Sequence, residues 1–158
     1  MSIATTRHTV DEYFETEIAS ELHHEYLNGE IIQMTGGTRS HNLICNNLKR
    51  MLLTRFDLPD YWICTGDTRV KIEECNAYLY PDAGIVPGQG IREPLRLDSV
   101  LNPIHVFEVL SHSTERLDRG ERFDLFRKIS TLEKYVLISQ TEISVECHSR
   151  QANGEWNF

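Results

Sequence analysis

The spacing of apolar and polar positions divides the chain into short segments whose period changes along its length. Thr9-Val10-Asp11-Glu12 fits a capping box, in which the Thr hydroxyl and the Glu carboxylate satisfy first-turn amides, and Val10, Tyr13, Phe14 and Ile18 then recur at helical spacing. Asn28-Gly29 predicts a turn that ends this unit, and Glu30 to Met34 a short strand that stops at Gly36-Gly37. A second helix is predicted after Ser40, with Ile44, Leu48, Met51 and Leu52 as its buried stripe and Pro59 closing the linker behind it. Tyr61 to Ile72 alternates and is interrupted near Gly66. Ala77 to Val86 carries aromatic and β-branched residues around Pro81-Asp82, and Ile104 to Leu110 is an apolar run that encloses one charge, Glu108. Pro87 to Pro103, rich in Gly, Pro and charge, predicts a surface loop. Thr114 to Ile129 predicts a charged amphipathic helix, and Tyr135 to Ile138 and Ile143 to Cys147 two strands around a Gln140-Thr141 turn. Strands bracketed by helices predict an α/β (α+β) fold with a central mixed sheet. No repeat or linker divides it, so residues 1–158 are expected to form one domain.

The length suits that reading, since 158 residues fill one domain of ordinary size. Sixteen Lys and Arg against twenty-four Asp and Glu leave a net charge of −8. A polybasic nucleic-acid binder is therefore not expected, because such proteins draw affinity from excess cations; contact through a small local patch is compatible with this balance. No apolar run approaches the roughly 20 residues of a membrane span. The opening stretch Met1 to Phe14 lacks an apolar leader core, so the expected location is cytoplasmic, without a membrane partner. Cys45, Cys64, Cys75 and Cys147 are widely spaced, with no C-x-x-C pair, and read as reduced thiols. His23 and His24 are neighbours, but adjacent helical positions diverge by about 100°, so a histidine metal centre is not expected.

Two carboxylates stand out because their surroundings are apolar: Asp82, after Pro81 and before Ala83-Gly84-Ile85-Val86, and Glu108 inside Val106-Phe107-Glu108-Val109-Leu110. A buried carboxylate needs a cation, a hydrogen-bond set or solvent at a strand end. Two acids at one sheet edge form an oxygen-rich pocket suited to Mg2+ or Mn2+; equally, Asp82 reads as a turn residue and Glu108 as a solvent-facing strand residue. Asp118, Arg122 and Phe126 recur every four residues and share a helix face, where Arg122 reads either as half of a solvated pair with Asp118 or as a cation pointing toward the strand bearing Glu108.

The ordered segments HEYLNGEIIQMTGG, SHNLICNNL, YPDAGIV, HVFEVLSHSTERLDRGERFDLF and LEKYVLISQ resemble the bacterial Uma-two family, restriction-type endonucleases of the PD-(D/E)XK superfamily. The resemblance runs from about Val10 to the C-terminus, and its most specific stretch is Glu108 to Phe126. It implies a restriction-endonuclease-like core in which Asp82 is the PD aspartate and Glu108 the acid of the (D/E)XK element. Glu25 then matches an upstream glutamate at the end of the first helix. The superfamily lysine falls at Leu110; the family carries its cation on the following helix, where Arg122 stands here. His41 matches a family histidine at the start of the second helix.

The chemistry so implied is Mg2+-dependent hydrolysis of DNA, with Asp82 and Glu108 as metal ligands and Glu25 as a third metal ligand or as an acceptor behind them. Guanidinium stays protonated, so Arg122 serves as an electrostatic clamp but not as a general base. Arg39, His41, Arg69 and Arg119 are the expected contacts to double-stranded DNA, and a homodimer is expected for cutting both strands. Family members continue beyond Trp156, so the chain is expected to lack an edge strand and expose a sheet edge. The alternatives are a catalytically impaired member that binds nucleic acid or protein, favoured by Arg122 and the early stop, and a hydrolase of another phosphoester.

Overall fold

The computed structural model describes residues 7–56, 59–112 and 114–158. Met1 to Thr6, within the opening stretch from which a cytoplasmic location is expected, lie outside the described residues. Helix α1 (Val10–Ala19) starts with both bonds of the capping box between Thr9 and Glu12, as expected. Its face is narrower than the periodicity predicts: Tyr13 and Phe14 are buried, whereas Ile18 is 86% exposed. The helix stops at Ala19 because Ser20 turns extended, and the chain re-enters as strand β1 (His24–Leu27). An Asn28-Gly29 turn with positive φ at both residues folds it onto β2 (Glu30–Gln33). That is the primed geometry whose twist matches antiparallel strands.

Helix α2 (Arg39–Leu53) buries Leu48 and Leu52 but leaves Met51 exposed. Strands β3 (Tyr61–Thr65), β4 (Arg69–Ile72), β5 (Ala77–Leu79) and β6 (Ala83–Pro87) follow, and the segments around Gly66 and Pro81-Asp82 prove to be changes of sheet. The Pro87–Pro103 span is not a plain loop. It holds β7 (Arg92–Glu93) and β8 (Arg96–Val100), and β8 pairs parallel to β4 with Ser99 and Val100 fully buried. Strand β9 (His105–Leu110) leads into α3 (Glu115–Leu117), a π-helical turn (Asp118–Arg122) and α4 (Phe123–Phe126), in place of the one regular helix expected. Strands β10 (Lys134–Ser139), β11 (Val145–Arg150) and β12 (Trp156–Asn157) complete the chain.

Among the described residues the strands form two six-stranded sheets, in the orders β2-β1-β5-β4-β8-β7 and β12-β11-β10-β9-β6-β3. β6 and β9 are antiparallel, and β9 and β10 are parallel, joined by the helical crossover. Val70, Ile72, Ala77 and Leu79 of the first sheet meet Val106, Leu110, Tyr135 and Leu137 of the second, with Phe126 and Leu132, in one core. Leu48 and Leu52 of α2 pack on Ile63, Ala83 and Ile85, while Tyr13 and Phe14 of α1 pack on Tyr26 and Tyr78. No helix among the described residues is long and apolar enough to cross a membrane.

Candidate active site

Tyr80-Pro81-Asp82 is the corner at which the chain leaves β5 in one sheet and enters β6 in the other. Asp82 therefore sits at the head of β6, beside β9. Side chains alternate along a strand, so Glu108 shares the face of Val106 and Leu110, which lies toward the inter-sheet core. Glu25 projects from β1 of the first sheet, not from a helix end, because the chain is already paired with β2 and β5 at that point. The three acids line one cavity of about 260 Å³, with His41, Tyr80, Asp118 and Arg122 among its other walls.

Arg122 lies between them. Its Nη1 donates to both oxygens of Glu25 at 2.8 and 2.7 Å, and its Nη2 and Nε donate to Glu108 Oε1 at 2.8 and 3.2 Å. Nε also faces Asp118 Oδ1 at 3.3 Å, so the Asp118–Arg122 pair is buried and not a solvated surface pair. The π turn is tied to β10 by the Tyr135 hydroxyl, which donates to the Asp118 carbonyl at 2.9 Å. Tyr80 N–H donates to Glu25 Oε1 at 3.0 Å. Asp82 Oδ2 accepts from Val109 N–H at 2.7 Å, and His41 Nε2 lies 3.1 Å from both Asp82 oxygens.

The charges explain the shifts. Burial, helped by the negative Asp82 and Asp118 and opposed by Arg122, pushes the Glu108 carboxyl up to about 8. Asp118 is raised as well, by burial first. Arg122 is held well above its ordinary value because Glu108 and Glu25 outweigh its burial. The hydrogen bond to Asp82, aided by Cys45, pushes the His41 imidazole up to about 10 against burial.

The pocket lining is rich in oxygen, the donor type of hard divalent ions, but Glu25, Asp82 and Glu108 do not bring one oxygen each to within 4.8 Å of one another. Four carboxylates face two cationic groups; among the described residues Glu108 Oε2 accepts only a 3.4 Å contact from Asp82 N–H, whereas both Asp82 oxygens face His41. Glu25 is less available, since both its oxygens are engaged by Arg122.

The family model described as "Putative restriction endonuclease" (Uma2) matches residues 10–158. The chain belongs to the Uma2 family. Two Synechocystis proteins, "Uncharacterized protein sll1609" and "Uncharacterized protein slr1290", are 33% and 30% identical to it, over 99% and 92% of this chain and 89% and 76% of their own lengths. A crystal structure of "a putative nuclease belonging to DUF820 from Anabaena variabilis" matches with a TM-score of 0.67 at 18% identity, covering 87% of this chain and 77% of that one. This likeness establishes the fold: this Uma2 protein has the mixed α/β, restriction-endonuclease-like architecture.

The cationic residues expected to meet DNA are dispersed. Arg39 is exposed at the first turn of α2, near the cavity wall formed by Gly37 and Thr38. Arg119 is held by Glu115 and Glu146. Arg69 lies in a separate buried cluster, where it donates to Glu17, Asp98 and the Tyr80 hydroxyl and stacks on Phe14. Its own partners already take up its guanidinium. Residues that the sequence reading did not assign to the site include Tyr80, Asp118 and Cys45. The Asp118–Arg122 spacing and the four-residue step from His41 to Cys45 were the available signals.

Proposed function

We propose that this Uma2 protein is a metal-dependent endonuclease that hydrolyses phosphodiester bonds of double-stranded DNA. Asp82 and Glu108 would hold Mg2+, or Mn2+, with Glu25 behind them. The observation that carries this reading is that Asp82 and Glu108, from neighbouring strands, line one cavity, where among the described residues Glu108 Oε2 has only a long contact. When bound, the ion supplies an acidified water and neutralises charge building on the phosphate. The chain's own groups position these parts. Val109 N–H and His41 orient Asp82, while Arg122 clamps Glu108 and Glu25 and, always protonated, cannot take a proton from water. Arg39 is the exposed candidate for phosphate contact, and Arg119 and His41 are further candidates, whereas Arg69 is taken up by its own acids. A two-fold dimer working in the cytoplasm completes the reading.

Supercoiled plasmid incubated with the protein and Mg2+ tests it. Nicking that disappears in Asp82→Ala and in Glu108→Ala is the expected result; no nicking with Mg2+ or Mn2+ overturns the reading. The engagement of Glu25 and Glu108 by one guanidinium favours a second reading, a member that binds nucleic acid without cutting it. Retention of plasmid without nicking supports that alternative, and cleavage regained in Arg122→Lys would locate the defect in the clamp.

A further inference from the structure

We propose that His41, Cys45 and Asp82 form a binding site for a borderline-soft transition ion, best matched by Zn2+, at the mouth of the acidic pocket. Helix α2 places His41 and Cys45 four residues apart on one face, the spacing at which two helical side chains grip a single ion. The β5–β6 corner delivers the third donor, Asp82. One donor atom from each residue lies within 4.8 Å of the other two, and no other trio of His, Cys, Asp or Glu among the described residues meets so closely. Glu25, Asp82 and Glu108 do not form such a group, because the Arg122 guanidinium stands between Glu25 and Glu108.

The separations are those of donors gathered near one point, the His41–Asp82 pair being nearest to tetrahedral spacing. With Zn–N and Zn–O bonds near 2.0 Å and Zn–S near 2.3 Å, neighbouring N and O donors fall about 3.3 Å apart and N and S donors about 3.5 Å apart. Here His41 Nε2 is 3.1 Å from Asp82 and 4.0 Å from Cys45 Sγ, which lies 3.6 Å from Nδ1, and the three donors stay within 4.8 Å of one another, so an ion draws the thiol inward and displaces the protons of thiol and imidazole to solvent. Gly37 leaves room for that ring: a Cβ there would lie 2.6 Å from His41 Nδ1. All three residues are partly exposed, which gives an ion an entry path, and Cys45 is a free thiol. Sulfur and imidazole select Zn2+ over Mg2+, whereas Glu108 and its neighbours offer only oxygen. The two donor sets share Asp82 but differ in chemistry, so this site stands whether or not the pocket cleaves DNA.

Titration of Co2+ into the full chain reports the site through thiolate-to-cobalt charge-transfer absorption. That band is expected in the wild type, bleached by Zn2+, unchanged in Cys147→Ser, and lost in Cys45→Ser and in His41→Gln. Zn2+ binding measured by competition should weaken ~100-fold in either of the last two variants, since even outer-sphere partners are worth 10–100-fold; His41→Gln keeps the test open if Cys45→Ser does not fold. A wild type without the band, a band that persists in Cys45→Ser, or equal Zn2+ affinity in all variants overturns the proposal. The readout is binding, so a protein that shows the band yet never nicks plasmid supports this site while overturning the nuclease reading.

Discussion

The buried Arg122 guanidinium meets Glu25, Glu108 and Asp118 and approaches the Tyr80 carbonyl, so its positive charge is the common counter-ion of three acids. Removing one partner of a buried ionic set leaves charge without compensation, typically at a cost of 3–5 kcal/mol. Arg122→Met is expected to lose about that much stability, read from the urea unfolding midpoint. Glu17 gives the molecule an acid limb of its own. Burial alone would raise its carboxyl, but hydrogen bonds from the Tyr80 hydroxyl, His24 N–H and Arg69 outweigh burial and hold it below 4.5. A depressed folded value means the contribution is complete above 4.5 and is lost as pH falls through the depressed value. Urea midpoints across acid pH should therefore fall less steeply in Glu17→Gln than in the wild type. Asp82 and Glu108 were legible because acids inside apolar runs demand a reason. Cys45 was not, because a thiol looks like any packed thiol until the fold puts it beside His41.

Elements show where periodicity ran out. The capping box, α2 and the β9–helix–β10 crossover follow from patterns long enough to read. β8 did not, since five residues with an exposed Leu97 carry too little alternation to outweigh flanking Gly, Pro and charge. Glu25 was expected on a helix because the Asn28-Gly29 turn looks alike after a helix and inside a hairpin; strand pairing decides between them. The π turn was also invisible, as side-chain spacing alone cannot report one extra residue in a helical turn. Tyr135 secures that turn through the Asp118 carbonyl. Tyr135→Phe should cost about 1 kcal/mol in chemical unfolding, the ordinary net value of one lost hydrogen bond.

Across the whole molecule a net charge of −8 sets the terms for any contact with a polyanion. If binding runs through a few exposed cations such as Arg39, the slope of log K against log salt stays shallow, at about −0.9 for each phosphate neutralised. Arg39→Ala should then flatten it by about one, measured by DNA titration over a salt series. The two sheets contribute unequally to the pocket: Glu25 hangs from one, Glu108 and Asp82 from the other, and the chain itself crosses at Tyr80-Pro81-Asp82. The pocket is thus a clasp fastened across a seam. Whatever slackens the grip of one layer on its neighbour, however remote, draws Glu25 away from Asp82 and Glu108 in the same stroke.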